Sequence, residues 1–275
     1  MHRKIIRREL DLCNGPFLKK IITYTLPIIA TNLLQLLFNA ADLVVVGQFG
    51  ADGSKAISAV GATGSLINLL VGLFMGLSLG AGVCVAQGVG AQDNTRIHRA
   101  VHTALPAAAI CGAFLTVVGI ALAPTLLSWM GTPGEVIDLS VVYMRIYFAG
   151  IIPTLLYNFG ASILRSAGDS RSPLIILIIA GVLNVILNLF FVLVCKMTVS
   201  GVATATAIAQ TVSCVLVMKV LMKRQDGCKL ELKKLKIYPH TLKRIIQIGL
   251  PAGIQGSLFA ISNVTIQSSI NSFGP

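Results

Sequence analysis

The sequence predicts an all-α integral membrane protein: a six-helix N-terminal bundle followed by the first helix of a second, parallel-repeat bundle. Three observations carry this. Of 275 residues, 55% are hydrophobic and 12% charged, with a mean hydropathy of +0.83. Soluble domains carry about 25% charged residues, so this chain lacks the polar surface to cover itself in water. Seven long apolar runs follow one another, and the last of them repeats the first.

The runs cover residues 21–47, 57–87, 101–128, 139–164, 174–195, 199–222 and 245–272. Each exceeds the roughly 20 residues that a helix needs to cross a bilayer. Spanning strands would need strict alternation over about 10 residues, which is absent. Met1 to Lys20 is polar and basic, and the run after it is too long for a signal-peptide core.

Lysine and arginine set the orientation. Six precede the first run, two follow the second, two follow the fourth and nine follow the sixth; the other side has only Lys55, Arg145 and Lys196. The positive-inside rule then places the N-terminus in the cytoplasm, with the chain multi-pass in the plasma (inner) membrane. The net charge of +12 could suggest nucleic acid, but the charges fall between apolar runs, with no interleaved aromatics. They read as topology signals and contacts with anionic membrane lipid. No nucleic-acid partner is expected.

Residues 18–50 and 242–274 align without a gap at an offset of 224 residues, sharing Pro27/Pro251, Asn39/Asn263 and Phe49/Phe273 among ten identities. An even number of spans separates the copies, so both run in the same direction. This predicts two parallel halves related by an axis along the membrane normal. The divisions expected are 1–222 as the first six-helix lobe, 223–244 as a basic cytoplasmic linker, and 245–275 as the truncated first helix of a second lobe. The intact protein would have on the order of 450 residues, making this chain a fragment.

Of ten acidic residues, Asp42 alone lies within an apolar run. A charge at mid-membrane costs about 2.5–3.5 kcal/mol, so such a residue is a functional candidate by default. Asn32, Gln35, Asn39 and Asp42 recur at spacings of 3, 4 and 3, giving the first helix one polar stripe that avoids lipid. Asn184 and Asn188 share a face of the fifth helix; Thr206, Gln210 and Ser213 share one of the sixth. One carboxylate with amides and hydroxyls suits a small hard cation, or a carboxyl that exchanges a proton. Plain interhelical hydrogen bonding is the competing reading for the asparagines.

Other features read as structural. Gly72, Gly76 and Gly80 form a close-packing face. Pro27, Pro106, Pro124 and Pro153 are candidate kinks, Pro27 being the candidate hinge of the first helix. The six cysteines have no Cys-x-x-Cys spacing and read as small apolar side chains. His98 and His102 have helical spacing but no third ligand, and are expected on a solvated loop face. No Walker sequence and no Ser/His/Asp or Cys/His set is visible, so the chain is not expected to be an enzyme. No cofactor is expected, and no metal other than a small cation such as Na⁺ at the Asp42 site if the carboxylate binds one rather than a proton.

The ordered motifs resemble a known family. Pro27 followed by Asn39-x-x-Asp42-x-x-x-x-Gly47-x-Phe49-Gly50 is similar to the opening of the multidrug and toxic compound extrusion family. So are Ala86-Gln87-x-x-Gly90-Ala91, Leu164-Arg165-x-x-Gly168-Asp169-x-x-x-Pro173, and Gly201-x-x-x-Ala205-Thr206-x-x-x-Gln210. The resemblance covers the whole chain. It implies twelve helices in two lobes around a cleft, and export of cationic or amphipathic drugs in exchange for Na⁺ or H⁺ by alternating access. It places a cation or proton site at Asp42, Asn184, Asn188 and Thr206. The chain departs from the pattern at Asn188, where many members carry Asp, and in the seventh helix, which lacks the acid some members have. A monomer is expected. The alternatives are a flippase for lipid-linked saccharides, disfavoured by spans almost free of Lys and Arg, and a non-transporting membrane fragment.

Overall fold

The computed structural model describes residues 17–49 and 53–271. The basic residues Arg3, Lys4, Arg7 and Arg8, Cys13, and the repeat's Gly50, Phe273 and Gly274 lie outside them. In a bilayer no water satisfies the backbone, so a spanning chain must close its hydrogen bonds within each helix. The described residues accordingly form eight α-helices and no strand. They are α1 (Phe17–Phe49), α2 (Gly53–Gly90), α3 (Asn94–Trp129), α4 (Gly134–Ala149), α5 (Ile151–Ser166), α6 (Arg171–Leu189), α7 (Val199–Lys223) and α8 (Pro239–Asn271). Six helices are long and apolar enough to cross a membrane singly, and the bent pair α4–α5 passes the same test if counted as one span. The protein is thus a multi-pass membrane bundle.

The seven runs appear in order, with one difference. The fourth is not a single rod: α4 and α5 meet at a 51° bend. Pro153 has no N–H to offer the carbonyl one turn back, which frees the chain to turn at Gly150. A methyl group on Gly150 would sit 2.8 Å from Ala207 Cβ, so the elbow is seated directly on α7. By contrast, Pro27, Pro106, Pro124 and Pro251 all lie inside unbroken helices. The span of α6 ends in a π-helical turn, Phe190–Val194.

The motif before α6 is explained locally. Gly168 adopts φ +87°, a left-handed conformation that glycine takes without a Cβ penalty. Asp169 then accepts hydrogen bonds from the Ser172 N–H at 2.9 Å and the Ser172 hydroxyl at 2.6 Å, capping the helix. Asp169 is buried and lies 4.0 Å from the Arg224 guanidinium, beyond the end of α7.

The core lies among α2, α3, α5 and α7. The longest seam is between α2 and α8. The glycine face of α2 packs here as its spacing implies, and α8 answers with Gly249, Gly253 and Ser257 at the same four-residue step. Gly76 faces the Gly253 backbone, Gly80 faces Ile245 and Gly249, and Gly72 faces Ser257. Backbone meets backbone, as small residues allow. The helices α1 and α8 are each 33 residues long with one internal proline, in keeping with their sequence similarity.

His98 and His102 overturn their expectation. They lie on α3 rather than on a solvated loop, and His102 is fully buried. Their rings stack at 3.8 Å, and His102 Nε2 accepts from the Glu231 N–H at 3.1 Å. The reason is that the 223–244 segment folds back onto α3 and covers them. Among the described cysteines, Cys84 and Cys228 are buried, Cys195 is exposed, and none is joined in a disulfide.

Candidate functional site

Three helices bring the predicted polar residues together. Asp42 projects from α1, Asn184 and Asn188 from α6, and Thr206 from α7. The Asn188 side-chain nitrogen donates to Asp42 Oδ1 at 2.5 Å and to Asn184 Oδ1 at 3.3 Å. Asn184 donates to Thr206 Oγ1 at 3.2 Å, and the Thr206 hydroxyl donates to the Val202 carbonyl at 3.0 Å. The four residues form one continuous hydrogen-bonded chain. Asn188 is fully buried and Asn184 nearly so. Asn188 spaces the carboxylate of α1 from the amide of α6, and removing it would leave both partners wanting.

Above this chain lies a cavity of about 240 Å³, lined by Gln35, Asn39, Asp42, Asn184, Thr206 and Gln210, with Ser213 and Phe38 at its walls. Five of these were singled out as one polar stripe or one cation site. Asn188 lies behind the lining, holding it. Asn32 does not reach the cavity and is exposed. Asn32 lies ten residues from Asp42, about 15 Å along the helix axis, and so falls beyond the end of the cavity at Gln35. Pro27 lies farther toward the N-terminal end of α1, where Thr31 donates to its carbonyl at 2.7 Å.

The donor set favours a hard ligand. Asn188 Oδ1 and Gln210 Oε1 are buried oxygens without a hydrogen-bond partner. Together with the Asp42 carboxylate and Thr206 hydroxyl they provide oxygen atoms of at most one negative charge. Such a set fits a monovalent cation, or a proton on the carboxylate, better than a transition metal. Among the described residues no three His, Cys, Asp or Glu side chains gather as a metal would need.

Sequence reasoning missed the fit of Phe38 on Gly181. The Phe38 ring occupies the place where any side chain at Gly181 would project, and this closes α1 on α6 beside the cavity. A signal was present: Gly181 lies three residues before Asn184, on the same helical face.

Comparison with known proteins follows this geometry. The MatE family model matches residues 27–190, more than half of the chain and including Asp42, Asn184 and Asn188. A relative in Bacillus subtilis named "Probable multidrug resistance protein YoeA" is 29% identical over 258 residues, 91% of this chain and 55% of the relative. A solved structure titled as the inward-facing conformation of a multidrug resistance MATE family transporter is 26% identical, with a TM-score of 0.77 over 85% of this chain and 53% of that one. One titled as the outward-facing conformation of such a transporter is 25% identical, with a TM-score of 0.81 over 89% and 54%. The chain therefore spans about half the length of the proteins it matches, which accords with one lobe and the start of another in a twelve-helix arrangement. From its family match and its helical bundle, the chain belongs to the MatE family of multidrug and toxic compound extrusion transporters.

Proposed function

We propose that this chain is the first lobe, and the opening of the second, of a secondary antiporter that exports cationic or amphipathic drugs in exchange for Na⁺ or H⁺. The single observation that carries the reading is the Asp42–Asn188–Asn184–Thr206 chain beside a polar cavity in an otherwise apolar bundle. Its orientation would follow the lysine and arginine distribution, with the N-terminus cytoplasmic.

In this mechanism the Asp42 carboxylate takes the incoming cation or proton. The ligand interacts with Asp42 on α1 and with amides on α6 and α7, so its binding free energy depends on how α1 sits against its neighbours. A ligand shifts a conformational equilibrium only by its differential affinity for the two states, and this dependence supplies it. Bending of α1 at Pro27 is the proposed movement. Drug would be released outward when the ion site fills, and the ion inward when the lobe reverses.

The test is ethidium efflux from pump-deficient cells expressing the intact gene, wild type beside Asp42→Asn, with the Na⁺ and pH gradients collapsed in turn. The expected result is efflux that falls to the empty-vector level in the variant and on loss of one gradient. Wild-type efflux from Asp42→Asn at equal membrane abundance would refute the role of Asp42.

A further inference from the structure

The segment between α7 and α8 is built as a strap. Its two ends are pinned to neighbouring side chains of α3: the Glu231 N–H donates to His102 Nε2 at 3.1 Å, and the Tyr238 N–H donates to Thr103 Oγ1 at 3.2 Å. Before the first pin, Leu230 is buried and its N–H donates to the Leu221 carbonyl at 3.1 Å. Between the pins residues 232–236 are exposed, with Leu232, Leu235 and Lys236 bordering the groove below. Leu232 is 60% exposed and Leu235 39%. Lys229, Lys233, Lys234 and Lys236 surround them, against the single carboxylate of Glu231. Lys234 pairs with that carboxylate at 2.6 Å and holds it below the usual carboxylate range, yet the strap keeps a strong positive excess.

Beneath the strap runs an apolar groove of about 610 Å³, between α3, α5 and α7. Ala109, Ile110, Leu156 and Met218 line its floor, and Leu230 and Leu235 its strap edge. The strap joins the end of one span to the start of the next, so the groove opens where hydrocarbon meets water. An apolar slot at that depth beside a cluster of lysines has the two halves of one ligand's chemistry. Hydrocarbon fills the slot, and an anion directly above it meets the ammonium groups.

We propose that the 229–237 strap and the groove beneath it form a binding site for an anionic phospholipid, with one acyl chain in the groove and the headgroup phosphate among Lys233, Lys234 and Lys236. The site is separate from the Asp42 cavity and does not rest on the antiport reading. The lipid ties the α7–α8 connection to the outer face of α3, fixing the strap from both sides.

The test is native mass spectrometry of the purified intact gene product in a delipidating detergent, with phosphatidylglycerol, phosphatidylcholine or inorganic phosphate added. Phosphatidylglycerol should be retained at least fivefold more than phosphatidylcholine. Replacing Lys233, Lys234 and Lys236 together with Gln should reduce its retention more than tenfold, since each lysine near an anionic headgroup is expected to contribute about fivefold. Ala109→Trp, which fills the groove and leaves every charge in place, should also reduce it. Lys243→Gln, on α8 and away from the strap, should leave it unchanged. Four results would each overturn the proposal: equal retention of phosphatidylcholine; undiminished retention in the strap and groove variants; an equal loss in Lys243→Gln; or displacement of the lipid by millimolar phosphate. So would failure to retain any lipid, which is the result expected if the remainder of a full-length chain fills the groove.

Discussion

The α2–α8 seam yields a quantitative contrast between two glycines three residues apart on one helix. A methyl group on Gly253 would lie 2.5 Å from the Leu73 carbonyl oxygen and 3.0 Å from Leu73 Cα. Carbon atoms rest at about 3.5–4.0 Å, so the shortfall approaches 1 Å. The obstructing atoms are backbone, and no rotamer change moves them. The helices must part, which also loosens the contacts at Gly76, Gly80 and Gly249. Overpacking of this kind costs about 1–3 kcal/mol. Gly256 on the same helix is exposed, and a methyl group there meets nothing within 4 Å. Gly256→Ala should therefore gain the helix propensity of alanine, about 1 kcal/mol, without a steric cost. That gain is common to both substitutions and cancels in the comparison. Gly253→Ala should then be less stable than Gly256→Ala by about 1–3 kcal/mol, or roughly 5- to 150-fold in the unfolding equilibrium. Titrating the purified variants with denaturing detergent, and following loss of helicity, measures the difference. If Gly253→Ala proves as stable as Gly256→Ala, the seam is not packed backbone to backbone and the reasoning fails.

Two further substitutions test particular contacts. Asp169→Ala removes the side-chain bonds at the start of α6 while Arg224 keeps its closer partner Asp226, and should lower stability by about 1–2 kcal/mol; the same denaturation series would read it, and a change under about 0.5 kcal/mol would count against the capping role. Gly181→Ala should push Phe38 off α6 and lower stability by about 1–3 kcal/mol, and Phe38→Ala in the same chain should recover part of that loss; independent, additive effects would show that the two residues do not share the space.

Much of the architecture was legible because the bilayer imposes few solutions. Each apolar run had to be a helix, and the lone membrane carboxylate had to find partners. The spacing of Asn184 and Asn188, and the phase of Thr206, put each set on one face of its own helix; that those faces meet Asp42 was implied only by the family resemblance. What periodicity does not carry is the identity of the neighbour. The face of Gly72, Gly76 and Gly80 was plain, but nothing in it specified Gly249 and Gly253 as the opposing surface. Likewise His98 and His102 looked solvated because their surroundings in the chain are basic, while their surroundings in space include the returning 223–244 segment. The stripe on α1 was read as one unit, yet it runs about 15 Å along the helix, and Asn32 lies past the end of the cavity. The bend at Gly150 depends on Pro153 having a partner helix to turn against, which a single-span pattern does not contain.

The chain of amides beside Asp42 has a direction. Both protons of the Asn188 amide nitrogen are committed, one to the carboxylate and one to Asn184, and each later link donates onward until the sequence ends on a backbone carbonyl at Val202. A proton taken up on Oδ2 would leave Oδ1 accepting from Asn188 as before, but one taken up on Oδ1 itself would make that atom a donor facing a donor. The conflict is relieved when Asn188 turns over and presents its partnerless oxygen, but Asn184 then faces an oxygen where it had a proton. The sense of the whole row reverses, like a line of arrows flipped from one end. On the proposed antiport reading, a proton arriving at Oδ1 of Asp42 would thus be felt at the hydroxyl of Thr206 on α7 without any charge crossing the space between them.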